Sequence, residues 1–207
     1  AAILAHYLRE SSVIPEKADL NSILFLLTPA ETLAKFQHLV ARIVRFERHI
    51  RENSPVTEVL PTLAKAFAQY RKLSINQLCQ KMHDFYATHQ LNKLQKQMFE
   101  RAHRPAVAMS AFDAHNAFIR NDVELVPLTD IKGRIAMEGA LPYPPGVYCI
   151  VPGEVWDGAV LDYFLALQEG VNSLPGFEPE VQGVYWDYDE QGKKVAYAYV
   201  LTSSPSN

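Results

Sequence analysis

The segment from Gly133 to Glu154 restricts the fold more than any other part of the chain. It contains four prolines, each of which fixes φ at about −65° and removes one backbone hydrogen-bond donor; they are Pro142, Pro144, Pro145 and Pro152. The apolar run Val147–Val151 follows this proline-rich corner and predicts a short strand. The segment carries no metal-binding cluster and no phosphate-binding loop, so it predicts a rigid wall of a core or of a ligand channel.

The composition is that of an ordinary globular protein. The 207 residues suffice for one large domain or two modest ones. An apolar fraction of 48% and a charged fraction of 21% are typical of soluble domains. With a net charge of −3, the chain lacks the positive field that attracts nucleic acid or anionic lipid. No apolar run reaches the roughly 18 residues that cross a bilayer, so we expect no nucleic-acid partner and no membrane partner.

The two cysteines and the N-terminal residues bear on the cellular compartment. Cys79 and Cys149 lie in apolar surroundings without the CxxC spacing of a metal or redox site. They predict buried, reduced thiols, as in cytoplasmic proteins. The N-terminal residues lack the basic start and cleavage pattern of a secretory signal. We therefore expect a cytoplasmic protein.

The chain opens inside a helical pattern, with Ile3, Leu4, Tyr7 and Leu8 on its apolar side and no capping residue before them. The first amide groups of a helix need hydrogen-bond partners, which a preceding cap supplies. We interpret the chain as the C-terminal portion of a longer protein.

The first fifty residues predict an α/β succession. A helix is expected from Ala1 to about Glu10, and the apolar run Ile23–Leu27 predicts a strand buried on both faces. Thr28–Glu31 combines an N-cap threonine, a proline and a glutamate and predicts the start of a long helix. That helix carries an apolar stripe of Leu33, Phe36, Val40, Ile43 and Phe46, and its arginines predict a solvated face.

The polar residues around Asn53 predict a domain boundary after residue 52. Further helices are expected over residues 58–70, 75–101, 110–119 and 157–171, with a capping box at Ser74–Gln77. Strands are expected over residues 123–128, 181–185 and 195–201, the last two paired across the turn Asp189–Gly192. The tail from Ser203 to Asn207 is expected to fray.

None of the seven histidines has the spacing of a metal site. His83 and His89 are six apart on a predicted helix and face opposite sides, and the others are isolated in sequence. The sequence therefore predicts structural or surface histidines and no metal site.

Glu16 is the carboxylate with two open interpretations. It lies between Pro15 and Lys17, just before the predicted buried strand. Spacing alone favours a turn residue in water that pairs with Lys17. The alternative is a carboxylate held at a domain edge to bind a cationic ligand.

Five motifs resemble a known family along nearly the whole chain. ALPYPPG at 140–146, VPGE at 151–154 and LPGFEPEVQGVY at 174–185 are similar to the C-terminal end of the bacterial ornithine/lysine/arginine decarboxylases. IPEKADLNSILFLLTPAE at 14–31 and QLCQKMHDFY at 77–86 resemble the ornithine decarboxylase branch. The resemblance implies a pyridoxal-phosphate enzyme of the aspartate-aminotransferase fold. It makes the chain α/β (α+β): residues 1–52 end the aminotransferase-like small domain, and residues 53–207 form a mainly helical C-terminal domain with a small sheet.

The resemblance also implies that the cofactor-binding part of the protein lies upstream. The family binds pyridoxal phosphate through a lysine in a Ser-x-His-Lys motif, and none of the ten lysines here follows a histidine. The segment alone is therefore expected to contain no catalytic residue. The full-length protein is expected to convert ornithine to putrescine and carbon dioxide and to form homo-oligomers. The alternatives are a lysine or arginine decarboxylase relative, or a non-catalytic interaction domain.

One residue role carries over from the resemblance. The acidic residue with which the family receives the distal amine of its substrate aligns with Glu16, which makes Glu16 the expected substrate-binding residue. Within the proline-rich segment, Tyr143 and Glu154 are the candidates for contact with the approach to the active site.

Overall fold

The computed structural model describes residues 1–143 and 146–202. The chain divides into two compact units, Ala1–Thr88 and His89–Asn207. The domain boundary predicted after residue 52 lies within the first of these units and stays a prediction.

The first unit is helical with one small hairpin. Its elements are α1 (Ala2–Glu10), β1 (Lys17–Ala18), β2 (Ile23–Leu24), α2 (Leu33–Glu52), α3 (Val56–Val59), α4 (Pro61–Ala66), a 3₁₀ turn (Ala68–Tyr70) and α5 (Ile75–Thr88). Its core is built from side chains of α1 and of α3 to α5, among them Leu8, Leu60, Tyr70 and Leu78, all fully buried. The Glu10 carboxylate accepts the backbone N–H groups of Thr62 and Leu63 and so ties α1 to the start of α4.

Local capping explains where α2 ends and α5 begins. Asn53 adopts the left-handed conformation at φ 53° that ends many helices, and its backbone N–H returns to α2. The predicted capping box is confirmed, because Ser74 and Gln77 exchange side-chain and backbone hydrogen bonds at 2.9 and 3.3 Å. His49, buried near the end of α2, contacts the Ser54 hydroxyl through Nδ1 at 3.0 Å.

Two predictions for this unit are wrong. The long helix begins at Leu33 with Thr32 as its N-cap, because the residues around Pro29 form a separate turn in which the Glu31 N–H donates to the Thr28 carbonyl. The run Ile23–Leu27 is not a strand buried on both faces. Only its first two residues pair, with β1 alone, and Leu26 remains 70% exposed.

In its described residues, the second unit combines three α-helices with two small sheets. Its elements are α6 (Leu91–Gln97), a 3₁₀ turn (Arg101–His103), α7 (Ala111–Ile119), β3 (Val123–Pro127), β4 (Leu141–Tyr143), α8 (Gly158–Ser173), β5 (Glu180–Gln182), β6 (Tyr185–Tyr188) and β7 (Lys194–Leu201). One antiparallel sheet has the order β3-β7-β6, and β4 pairs with β5 in the other.

The core of this unit lies on one side of β7 and along α8. Ala196, Ala198 and Val200 of β7 are buried and alternate with half-buried neighbours, as expected for a strand with one covered face. The buried rings of Trp156 and Phe164 meet edge to face at 5.3 Å between centroids. The helix α8 begins at its N-cap Asp157, whose carboxylate accepts the Gly158 N–H.

The proline-rich segment forms a wall of this core. Ala136, Ala140 and Ile150 are fully buried, and the Gly153 carbonyl accepts the N–H groups of Ala108 and Met109. Gly153 has φ +92°, and a β-carbon there would collide with the Met109 carbonyl, so the close approach requires glycine.

Two strand predictions for this unit are wrong. Val147–Val151 forms no strand; only Ile150 makes an isolated bridge, with Ala140. The partner of β7 across the Asp189–Gly192 turn is β6, because Val181 pairs instead with Pro142 in the smaller sheet. The strand therefore starts at Tyr185, where the prediction had it end. Pro144, Pro145 and the tail from Ser203 lie outside the described residues.

No helix within residues 1–143 and 146–202 has the length and apolarity to cross a membrane.

Candidate functional site

Glu16 lies immediately before β1, the first strand of the small hairpin. Its backbone N–H donates to the Leu24 carbonyl at 2.9 Å, and the pairs Lys17–Leu24 and Ala18–Ile23 extend the ladder. Pro15 is buried and Glu16 is exposed. The backbone at Glu16 is thus fixed while its carboxylate points away from the covered side.

The turn of this hairpin is also fixed. The Asp19 N–H donates to the Ser22 carbonyl at 2.8 Å, and the Asp19 carboxylate accepts the Leu20 N–H at 2.7 Å. The N-terminal ammonium of Ala1 donates to the Leu20 carbonyl at 3.5 Å, and burial lowers the pKa of this ammonium. Burial, and then the Asp19 carboxylate, raise the pKa of the Tyr86 phenol on α5. The turn of the hairpin is therefore attached to the N-terminus of the first unit.

The carboxylate of Glu16 makes no hydrogen bond or ion pair with any residue that the structure describes. The pairing with Lys17 expected from the sequence is not formed. A carboxylate with a fixed backbone and no internal partner can accept an ammonium group from a ligand.

Tyr143 and Glu154 serve the fold of the second unit. The Glu154 carboxylate accepts the Val151 N–H at 2.8 Å and closes a turn, while its backbone bridges to Val107. Tyr143 pairs with Glu180 at the end of the small sheet, and a β-carbon at Gly146 would lie 2.8 Å from its ring. Both residues are half-buried structural contacts.

The sequence analysis missed a large exposed apolar surface in the first unit. We call it the apolar face and define it as Ile14, Leu24, Leu26, Leu27, Leu33, Phe36, Val40, Ile43 and Val44, all of which are exposed. Ile14, Leu26, Leu27 and Phe36 line a groove of about 460 Å³. The signal was present as the apolar stripe of α2 and the run that begins at Ile23, but the run was predicted to be buried and no partner surface was inferred from the stripe.

The histidines agree with their structural interpretation where a partner is observed. His49 is buried against Ser54, with Glu58 at 3.8 Å from the same ring nitrogen. His38 contacts the Ser11 carbonyl at 3.3 Å. In the described residues, no group of three or more His, Cys, Asp or Glu side chains could hold a metal ion.

A second, polar cavity of about 230 Å³ lies beside α7 and the end of β7. Its charged groups are already engaged, because Arg120 pairs with Asp122 at 2.9 Å and Asp113 accepts the Ser110 hydroxyl at 2.6 Å. It offers no partnerless charge to a ligand.

The residues of this chain do not fit pyridoxal phosphate. A cofactor lysine must be held in an enclosed site, whereas every lysine here is exposed or half-buried. The buried polar residues within the described ranges are His49 and Ser54. Burial raises the pKa of the Cys149 thiol to about 12, which leaves it unreactive near neutral pH. The side chains of this chain therefore do not form a pyridoxal-phosphate site by themselves.

Comparison with known proteins gives strong and consistent matches. The chain is 59% identical to the constitutive ornithine decarboxylase of Escherichia coli (strain K12) over 202 residues, which is 97% of this chain. It is 58% identical to an ornithine decarboxylase of Haemophilus influenzae over 203 residues, or 98% of the chain. In both cases it spans only 28% of the relative's length.

The fold also superposes closely on solved structures. The structure of lysine decarboxylase A from Pseudomonas aeruginosa superposes with a TM-score of 0.88 at 32% identity, covering 98% of this chain and 27% of that one. A sequence model described as "Orn/Lys/Arg decarboxylase, C-terminal domain" matches residues 92–202, which is more than half of the chain. The chain therefore belongs to the Orn/Lys/Arg decarboxylase family and carries its C-terminal domain.

Proposed function

We propose that this chain is the C-terminal segment of a pyridoxal-phosphate-dependent ornithine decarboxylase, which as a full-length protein converts ornithine to putrescine and carbon dioxide. The 59% and 58% identities to ornithine decarboxylases support ornithine over lysine, since the lysine decarboxylase structure is only 32% identical. The cofactor, bound by the part of the protein upstream of this chain, supplies the electron sink for decarboxylation. This segment alone performs no chemistry.

Glu16 receives the side-chain ammonium of the substrate in this proposal. The observation that carries the proposal is a carboxylate on a fixed backbone with no partner among the described residues. Ornithine's distal ammonium loses water on entering a closed site, and a charge-assisted hydrogen bond of about 1.5–3 kcal/mol offsets part of that cost. A substrate with a neutral side chain leaves the carboxylate unpaired and is rejected.

The alternative substrates lysine and arginine share this mechanism. A single carboxylate recognises a distal cation without measuring its distance, so Glu16 alone does not choose among the three amino acids. Relative kcat/KM values of the full-length protein for ornithine, lysine and arginine decide between them, and we expect ornithine to be preferred.

The second class of function is a non-catalytic interaction domain. It is favoured only by the exposed apolar face, which a decarboxylase also accommodates. Sequencing the coding region upstream of Ala1 tests it: a Ser-x-His-Lys motif supports the enzyme, and its absence there overturns the enzyme proposal.

We also propose that the full-length protein is cytoplasmic and forms homo-oligomers. Both cysteines of this chain are free, as in reducing compartments. Light scattering of the full-length protein measures the assembly, and a strictly monomeric enzyme overturns that part of the proposal.

The decisive experiment for Glu16 is Glu16→Gln in the full-length protein. We expect the KM for ornithine to rise about 10- to 100-fold, which corresponds to the loss of one charge-assisted hydrogen bond, while the cofactor content stays unchanged. Glu52→Gln is the matched control, because Glu52 is an exposed carboxylate of the same unit at the end of α2. An unchanged KM in Glu16→Gln removes Glu16 from the site.

A further inference from the structure

We propose that the polar cavity beside α7 and the end of β7 binds a short aliphatic amine through its ammonium group. The cavity belongs to the second unit and is lined by residues of α7, of the turn after it and of the C-terminal end of β7. The inference goes beyond the proposed function and does not depend on it, because Glu16 belongs to the first unit.

The hydroxyl group of Thr202 is the observation that points to a ligand. Thr202 lines the cavity, and its hydroxyl oxygen is buried without a hydrogen-bond partner among the described residues. Its backbone is held in place, because the Thr202 N–H donates to the Asp122 carbonyl at 3.2 Å. A buried hydroxyl that has lost its bonds to water and gained none in return is costly, so we expect a ligand to complete its hydrogen bonds.

One stripe of α7 supplies a second unused oxygen. Asp113, Asn116 and Arg120 all line the cavity, and their spacing of i, i+3 and i+7 places them on the same side of the helix. The Asn116 side chain is half-buried and makes no hydrogen bond with the residues that the structure describes. The carboxamide of Asn116 and the hydroxyl of Thr202 therefore offer two free acceptors to one cavity.

The charges around the cavity favour a cation as the ligand. Two carboxylates, Asp113 and Asp122, are balanced by the single guanidinium of Arg120. Arg120 binds Asp122 at 2.9 Å, and the Ser110 hydroxyl binds Asp113 at 2.6 Å. A carboxylate accepts about four hydrogen bonds, so each of the two keeps acceptor capacity. Two carboxylates repel an anion, whereas an ammonium group donates three N–H bonds to such acceptors.

The apolar part of the lining indicates what the ammonium group is attached to. Met109, Ala117 and Leu201 complete a cavity of about 230 Å³. A short methylene chain buries apolar surface against these side chains while its ammonium group reaches the oxygen atoms. A bare metal ion lacks such a chain, and no group of three or more His, Cys, Asp or Glu in the described residues could ligate it. The occupant is therefore an aliphatic amine.

Hydrogen exchange in the full-length protein tests the site with n-butylammonium chloride as the probe. Sodium chloride and 1-butanol are the controls for salt and for the apolar chain. Peptides that cover residues 109–122 and 195–202 are read by mass spectrometry, so amine bound elsewhere in the protein is scored separately. A ligand that binds only the closed form slows exchange in proportion to its saturation. At about ten times the half-saturating concentration we expect about tenfold slower exchange, and no change with either control.

The variant Thr202→Val removes the hydroxyl at nearly constant volume. Thr129→Val is the matched control, because Thr129 is an exposed threonine of the same unit. We expect the half-saturating concentration of n-butylammonium to rise at least about tenfold in Thr202→Val and to stay unchanged in Thr129→Val. Without amine, Thr202→Val is expected to exchange no faster than the parent, because it loses a partnerless group; a purely structural hydroxyl predicts faster exchange.

Three results overturn the proposal. Exchange that n-butylammonium does not slow means that the cavity binds no amine. Equal protection by sodium chloride or 1-butanol means that the ammonium group is not what is recognised. Equal half-saturating concentrations in Thr202→Val and Thr129→Val remove the Thr202 hydroxyl from the site.

Discussion

The helices α2 and α8 carry similar apolar stripes, but the stripe of α8 is buried and that of α2 is largely exposed. In α8, side chains such as Val160, Tyr163 and Phe164 are buried against their own unit. In α2, the one buried residue is His49, near its C-terminal end, and four of the five residues of the apolar stripe, Leu33, Phe36, Val40 and Ile43, are exposed. Apolar periodicity therefore shows that a helix has a face to cover, but it does not show that the covering partner lies in the same chain.

Placing a charge in each apolar stripe is expected to give the largest difference in stability between the two helices. Val160→Asp puts a carboxylate at a fully buried site and is expected to cost about 4 kcal/mol or more in the free energy of unfolding, because the ion has no partner there. Val40→Asp, at 58% exposure, is expected to change stability by less than about 0.5 kcal/mol.

Urea unfolding of the 207-residue chain measures both variants. Both tryptophans, Trp156 and Trp186, lie in the second unit, so fluorescence reports that unit and circular dichroism reports the helices of both. If Val40→Asp unfolds the chain as readily as Val160→Asp, the stripe of α2 is already covered and the contrast fails.

Truncation of one aromatic ring in each helix is expected to give a smaller difference, with α8 again losing more unfolding free energy than α2. Phe164→Ala removes a ring that is 2% exposed and packs on Trp156, so we expect a loss of about 3–5 kcal/mol. Phe36→Ala removes a ring that is 38% exposed, and we expect less than about 1 kcal/mol. Similar losses in the two variants, measured as shifts of the urea midpoint at constant slope, contradict the assignment of an open and a closed helix face.

The success of the sequence analysis follows the same division. Three elements specified by local chemistry were predicted within one or two residues: the capping box at Ser74, the helix that begins after Ser110, and α8 after Asp157. Each of the three has a polar side chain that bonds the first turn, and such bonds depend only on near neighbours. The cap predicted at Thr28 is the exception, because the helix begins four residues later with Thr32 as its N-cap.

The two misplaced strands depend on distant partners. The run Ile23–Leu27 was expected to be buried because continuous apolar strands usually are, but nothing in the described chain covers it. The partner of β7 was misplaced because Val181 pairs with Pro142, some forty residues earlier, and no local signal encodes that register. The candidate site shows the same limit: the family resemblance predicts a role for Glu16, but only the structure shows that its backbone N–H donates to the carbonyl of Leu24, a residue of the apolar face.

The smallest expected effect concerns a polar contact on the surface of the second unit. The Tyr185 hydroxyl donates to the Glu138 carboxylate at 2.7 Å, and this hydrogen bond, ahead of burial, raises the pKa of Tyr185 to about 12. A phenol whose pKa is raised above its ordinary value of about 10 stabilises the fold fully below pH 10 and loses that contribution as the pH rises towards 12. Because Tyr185 is 43% exposed, we expect less than about 1 kcal/mol.

Tyr185→Phe isolates this contribution. The free energy of unfolding of the parent chain is expected to fall more between pH 9 and pH 11 than that of the variant, and the two curves are expected to converge at higher pH. The free energy of unfolding of the variant still falls somewhat as the pH rises, because burial also raises the pKa of the Cys149 thiol, to about 12, and a raised thiol pKa acts in the same direction. If the unfolding free energies of the parent and the variant depend on pH in the same way, solvent screens the Tyr185–Glu138 contact completely. The second unit then differs from the exposed stripe of α2 by apolar burial alone.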